Sequence, residues 1–157
     1  MVGGLIRGAV AGAVGTWLMD LATTGMYAGQ SEETTRQEEA ARPNGRGSVA
    51  NFVARAEAAT GLELTDGQRA TAGQAMHYAL GVVPGALYGA LHERLPLPGR
   101  GVLYGLLLFA VNDEYLNTRL GLAGPFGAYP LATHARGLVG HLVLGMTTDT
   151  IVELLGG

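Results

Sequence analysis

Six ionisable side chains stand inside or beside the apolar stretches of this chain: Asp20, His77, Asp113, Glu114, His141 and Asp149. A neutral imidazole offers one ring nitrogen as donor and the other as acceptor or metal ligand, and it titrates near neutrality. Carboxylates beside it can take up or hold the proton it releases. The six are therefore candidates for proton handling or binding. Any metal falls to His77 and His141, and a b-type haem between their two helices is one alternative, with Gly81 and Gly145 one turn away leaving room for a porphyrin. A di-iron carboxylate centre is not favoured, since it needs Glu-x-x-His on two helices and that pattern does not occur. Ser31 and Ser48 lack the Gly-x-Ser-x-Gly setting of an activated serine, and no cysteine is present. With no Walker or Rossmann loop either, the chain is expected to be no enzyme and to carry no cofactor.

The candidates recur at helical spacing with small residues. Gly12, Thr16 and Asp20 follow one another on one face, as do His77, Gly81 and Gly85. Gly105, Phe109, Asp113 and Asn117 form a third such row, and Gly137, His141, Gly145 and Asp149 a fourth. Small residues every fourth position let helix backbones approach closely in lipid, where no hydrophobic force drives helices together. A charge at the bilayer centre costs about 2.5 to 3.5 kcal/mol even on the lenient insertion scale, so these groups should turn inward. The pattern predicts that His77 and His141 share a polar interior with Asp149 at one end of it. The plainer reading leaves each imidazole neutral and bonded to a neighbouring helix.

Composition says what must hold these rows. Of 157 residues 48% are hydrophobic and 15% charged, against about 25% charged in a soluble domain. Mean hydropathy is +0.23. Glycine contributes 26 residues and tryptophan one, so packing relies on backbone approach rather than large side chains. A net charge of −3 argues against nucleic acid as a partner. The expected fold is all-α: a single polytopic membrane domain over 1–157, with four transmembrane helices in a glycine-rich bundle. The spans fall at about 5–26, 70–91, 101–116 and 131–155, with a long polar loop at 27–69 between the first two. A signal peptide competes for the first run, but its length and the missing Ala-x-Ala site favour a retained helix. Within the loop, 30–47 is charged and reads as solvated, and Ser48 is placed to cap a short helix over 49–59. The turn from Pro96 to Arg100 is so short that the second and third helices should be antiparallel neighbours.

From Ala75 to Asp149 the chain resembles the YagU-like family of uncharacterised bacterial inner-membrane proteins. The likeness rests on His77, Tyr88, Glu93 with Pro96, Gly101 and Gly105, the Leu120-Gly121-Leu122 turn, Pro125, Pro130, and Gly140-His141-Leu142-Val143 leading to Asp149. The family pattern has a histidine where Asp113 stands, and acidic residues near His134 and Arg136. The resemblance implies a multi-pass protein of the cytoplasmic membrane with a cytoplasmic N-terminus, and no known reaction. The arginine count points the other way: Arg7, Arg94 and Arg100 would lie on the side of the N-terminus and the other seven opposite. The expected function is a non-enzymatic accessory or structural membrane component. The alternatives are a small proton- or ion-handling transporter, and haem or metal binding between helices 2 and 4. The expected partners are the lipid bilayer and, through the glycine faces, another copy or a membrane protein.

Overall fold

A computed structural model describes residues 2–94 and 97–156, and among them all regular structure is helical. Three helices are long: α1 (Val2–Ala28), α4 (Asp66–Leu91) and α7 (Leu131–Leu154). Two shorter ones, α2 (Glu32–Ala41) and α3 (Ser48–Thr60), lie between α1 and α4. The remaining long rod begins as α5 (Arg100–Leu108), widens into a π-helical stretch at Phe109–Leu116 and ends in the turn α6 (Asn117–Arg119). Of the expected turn at 96–100, Pro96 lies outside the described residues.

Local chemistry accounts for the boundaries. Thr65 and Gln68 form a reciprocal capping box that starts α4 one turn before the expected 70. The stretch 30–47 is not the open loop its charge suggests. Ser31 accepts a hydrogen bond from the Thr34 amide, Glu32 and Glu33 favour the positive end of the helix dipole, and α2 forms. Ser48 begins α3 from inside; its cap position is Gly47, which makes no side-chain bond.

The long helices alternate in direction, and the glycine rows are spent within the chain. A Cβ added at Gly4 would lie 2.6 Å from the Gly89 carbonyl oxygen, and one at Gly85 2.6 Å from that of Gly8. Gly12 and Gly81 approach each other in the same way, which zips α1 to α4 antiparallel. Gly15 packs on Leu144 and Thr148 of α7, and Gly105 on the His141 carbonyl. The lateral order is therefore α4, α1, α7, α5. The expected neighbours α4 and α5 are antiparallel, but they form the loosest seam. They meet near one end through the stacked rings of Tyr88 and Tyr104, 4.5 Å between centroids, and part around a cavity farther along.

The start of α1 and the end of α7 share the Tyr88 end of the bundle, where Arg7 donates to the Gly156 carbonyl at 2.5 Å. The opposite end is covered by α2 and α3. Asn51 of α3 donates to the carbonyls of Pro43, Arg46 and Leu122 at 3.0 to 3.1 Å, and Arg55 donates to the carbonyls of Leu120 and Gly121.

Burial is inverted relative to a water-soluble core. Gly8, Gly12, Thr16, Gly81, Gly85, His141, Gly145 and Thr148 lie inside, whereas Trp17, Leu21, Val83, Leu87, Leu103, Leu107 and Met146 are exposed. Among the described residues, α1 alone is both long and apolar enough by composition to count as a membrane span.

Candidate functional site

A cavity of about 460 Å³ lies in the seam between α4 and α5, backed by α1 and α7. His77, Asp113 and His141 all line it, with Asn112, Asn117 and Thr16. On α1, Asp20 stands one turn beyond Thr16 and accepts a hydrogen bond from His77 Nε2 at 2.7 Å. Thr16 turns its hydroxyl back to the Gly12 carbonyl, 2.8 Å away, and so brings no unpaired donor to the wall. On α7, His141 Nδ1 donates to the Gly137 carbonyl at 2.9 Å, its ring tilted against Phe109. Because a carbonyl can only accept, that ring nitrogen carries the hydrogen, and Nε2 of the neutral ring keeps a lone pair. By the same logic a neutral His77 keeps its lone pair on Nδ1.

Asp113 sits on the π-helical stretch, whose backbone bonds run one residue longer than in an α-helix, as from the Asn117 amide to the Asn112 carbonyl. Such single wide turns recur at functional sites. The sequence row Gly105, Phe109, Asp113 and Asn117 assumes α-helical spacing, and the wide turn alters its register. Even so, Asp113 Oδ2 comes within 3.7 Å of His141 Nδ1, and its other oxygen accepts from Asn112 at 3.2 Å. The side chain is 35% exposed, and it lines a second void of about 220 Å³ as well as the first.

That second void lies toward the α2–α3 end. Glu114 faces it and accepts from His134 Nδ1 at 2.7 Å, while His134 stacks on Phe126 and turns Nε2 to the Phe126 carbonyl. Above it Glu38, only 3% exposed, fixes α2 to α7. Arg136 reaches it at 2.7 and 2.8 Å, Arg42 at 2.7 Å and Thr133 at 2.9 Å. Burial alone would raise the pKa of Glu38; the bonds from Arg136, Arg42 and Thr133 outweigh it and hold the carboxyl down at about 2.

Asp149 belongs to another cluster, at the far end. It accepts from the Tyr88 hydroxyl at 2.5 Å, Arg100 Nε at 2.8 Å and His92 Nε2 at 3.2 Å, while Arg100 also binds Glu153 at 2.6 Å. Asp149 lies eight residues beyond His141, about 12 Å along α7, with buried Leu144, Gly145 and Thr148 between. The expected single polar interior is thus two interiors. Among the described residues, His92, Asp149 and Glu153 are the trio whose ligand atoms come within 4.8 Å of one another. The Arg100 guanidinium already bonds both carboxylates, so the place a cation would take holds a positive charge. A metal or haem at His77 would have to coordinate through Nδ1 or displace Asp20.

Arg100, Glu38, Arg136 and His134 were not among the candidates, and Glu114 was named without its partner His134. Each contributes through a partner at least 20 positions away in the chain, and helical spacing carries no signal for that. No protein-family model, curated protein or solved structure matches the chain.

Proposed function

We propose that this chain is a four-span, multi-pass protein of the bacterial cytoplasmic membrane that takes up and releases protons or small cations in the cavity between α4 and α5. The carrying observation is that Asp113 faces the cavity 3.7 Å from His141, with His77 on the same wall and, among the described residues, no arginine bonded to it, whereas Asp149 and Glu38 are each neutralised by one or two arginines. A carboxylate neutralised by a fixed guanidinium has little to gain from a mobile cation; one that meets only imidazoles and an amide has much to gain.

The membrane assignment is supported by the inverted burial and by length. At 1.5 Å per residue α4 and α7 measure about 39 and 36 Å, enough to cross a hydrocarbon core of about 30 Å. Their average hydropathy is lowered by inward-facing glycine, threonine and histidine, and the faces they expose carry Val83, Leu87, Val139 and Met146. The likeness to the YagU-like family, at His77, Tyr88, Gly101, Gly105 and Gly140-His141-Leu142-Val143, adds to this reading.

A purely structural, accessory role accounts for the glycine crossings and the arginine-locked end. It leaves without purpose a void whose wall carries titratable groups.

Two measurements test the proposal. The chain has no cysteine, so single cysteines placed at Ser31, Leu106 and Gly156 report topology directly. Ser31→Cys and Gly156→Cys should label from opposite faces of sealed vesicles, with Leu106→Cys protected. In vesicles the chain should carry protons down an imposed pH gradient, read with a trapped pH-sensitive dye, and Asp113→Asn should slow that flux. Labelling of Leu106→Cys from water, or proton flux no faster than in empty vesicles, would overturn it.

A further inference from the structure

We infer that the cavity between α4 and α5 is a binding site for an amphiphilic amine in its ammonium form, admitted sideways from the lipid between these two helices. The inference rests on the cation-handling reading and names the cation.

Charge sign comes first. Asp113 lines the cavity, Asp20 stands behind His77, and no arginine is among the lining residues, in a chain whose basic residues are all arginine. Beside the donor groups of Ser48, Asn112 and Asn117, the wall carries further acceptors suited to an N–H donor. His141 has its hydrogen committed to Gly137, and His77 has its own committed to Asp20, so in their neutral forms each retains a lone pair. Pro84, in the C-terminal third of α4, has no amide hydrogen and so leaves the Leu80 carbonyl without its helical donor; both residues line the cavity. An ammonium group, with several hydrogens to give, matches a carboxylate, a carbonyl and imidazole lone pairs.

The rest of the wall decides between an organic and an inorganic cation. It is formed mainly by apolar side chains, among them Leu107, Leu108, Val111 and Leu144. A bare metal ion needs several ligand atoms gathered around one point, and the trio that satisfies this among the described residues lies at the Arg100 end. An ammonium on an apolar body uses both halves of the cavity: the charge meets Asp113 and the hydrocarbon replaces water along the leucines.

The route is given by the same side chains. Leu107 lines the cavity and is also 61% exposed on the outer face, and Val111 is 42% exposed, so the wall they form ends at the surface facing lipid. The α1–α4 junction is closed by backbone on backbone, whereas the α4–α5 seam closes by side chains at Tyr88 and Tyr104 and is open where the cavity lies.

Calorimetric titration of the full chain in nanodiscs, with empty nanodiscs as the blank, tests this with three probes of similar body. They are 2-phenylethylammonium, neutral 2-phenylethanol and anionic 3-phenylpropanoate. The expected result is saturable binding of the ammonium at pH 7.5, at least ten times tighter than either other probe, and a loss of at least tenfold in Asp113→Asn. Leu107→Trp, which fills the mouth without touching charge, should weaken the ammonium by a similar factor; it serves as the independent variant if Asp113→Asn does not fold. Equal binding of ammonium and alcohol, or ammonium binding unchanged in either folded variant, overturns the inference. If the ammonium does not bind while the proton flux in vesicles persists, this inference falls and proton handling stands; if neither occurs, both fall.

Discussion

Asp113 and Asp149 are two aspartates at the two ends of the α5–α7 crossing, and their surroundings differ in one respect that governs everything else. Asp149 receives an arginine, a tyrosine hydroxyl and a histidine, with Gly101 pressed against its Cβ. Asp113 receives an amide, stands 3.7 Å from an imidazole and borders two voids. The first is a closed electrostatic joint that ties α4, α5 and α7 together. The second is an unsaturated acceptor in a bundle whose helices have parted. A carboxylate's role in this fold follows from whether a guanidinium reaches it and from how tightly the backbones around it close, more than from its depth.

Removing the guanidinium should break the joint with the largest effect. Arg100→Met leaves Asp149 charged and poorly compensated, and a loss of about 3 to 5 kcal/mol is expected, read as a fall in the detergent melting temperature. A loss below 1 kcal/mol would show that the joint does not hold the end together.

Glu38 sharpens the contrast, because it is locked by arginines as Asp149 is but lies in the α2–α3 cover. Its carboxyl is held at about 2 against an ordinary 4.5, so the unfolded chain binds the proton more readily than the folded one. The contribution, about 3 kcal/mol, is complete above pH 4.5 and disappears as the pH falls toward 2. Glu38→Gln should flatten that segment of the stability profile, and an unchanged acid limb would contradict the lock.

Next in size is the closed seam itself. Gly85→Leu drives a side chain into the Gly8 carbonyl and should cost about 1 to 3 kcal/mol, while Val83→Leu, on the outward face, should cost little. Equal melting of the two variants would remove the distinction between closed and open seams.

The smallest effect is expected at the open end. Asp113→Asn removes a charge that no guanidinium compensates, so stability should move by about 1 kcal/mol or less, in either direction. The same variant should displace the His141 imidazole resonances. A loss as large as that of Arg100→Met would place Asp113 in a structural joint and erase the comparison.

The helical class, four long rods, their alternation and the inward aim of Thr16, His77 and His141 were all legible from spacing, because a 3.6-residue period puts small and polar residues on one stripe. The glycine rows told that backbones would meet. They did not tell which, and the short connection from α4 to α5 gave their antiparallel order but not that they would meet only through Tyr88 and Tyr104. The segment 30–47 read as loop because its residues are charged, yet Ser31 caps it and Glu38 finds Arg136 almost a hundred residues away. Spacing put His77, His141 and Asp149 in one interior; folding separated Asp149 from the two histidines at buried Leu144 and Gly145.

By itself, then, the sequence determined which faces pack and which side chains they carry, since both follow from a local period that each helix enforces on its own. Only the tertiary structure decided the partners. The order α4, α1, α7, α5 follows from backbone fit between distant glycines, and that order sets Arg100 on Asp149 and leaves Asp113 at a void. Charge compensation is a through-space property, and residues 49 positions apart in the chain acquire it only when the helices have chosen their neighbours.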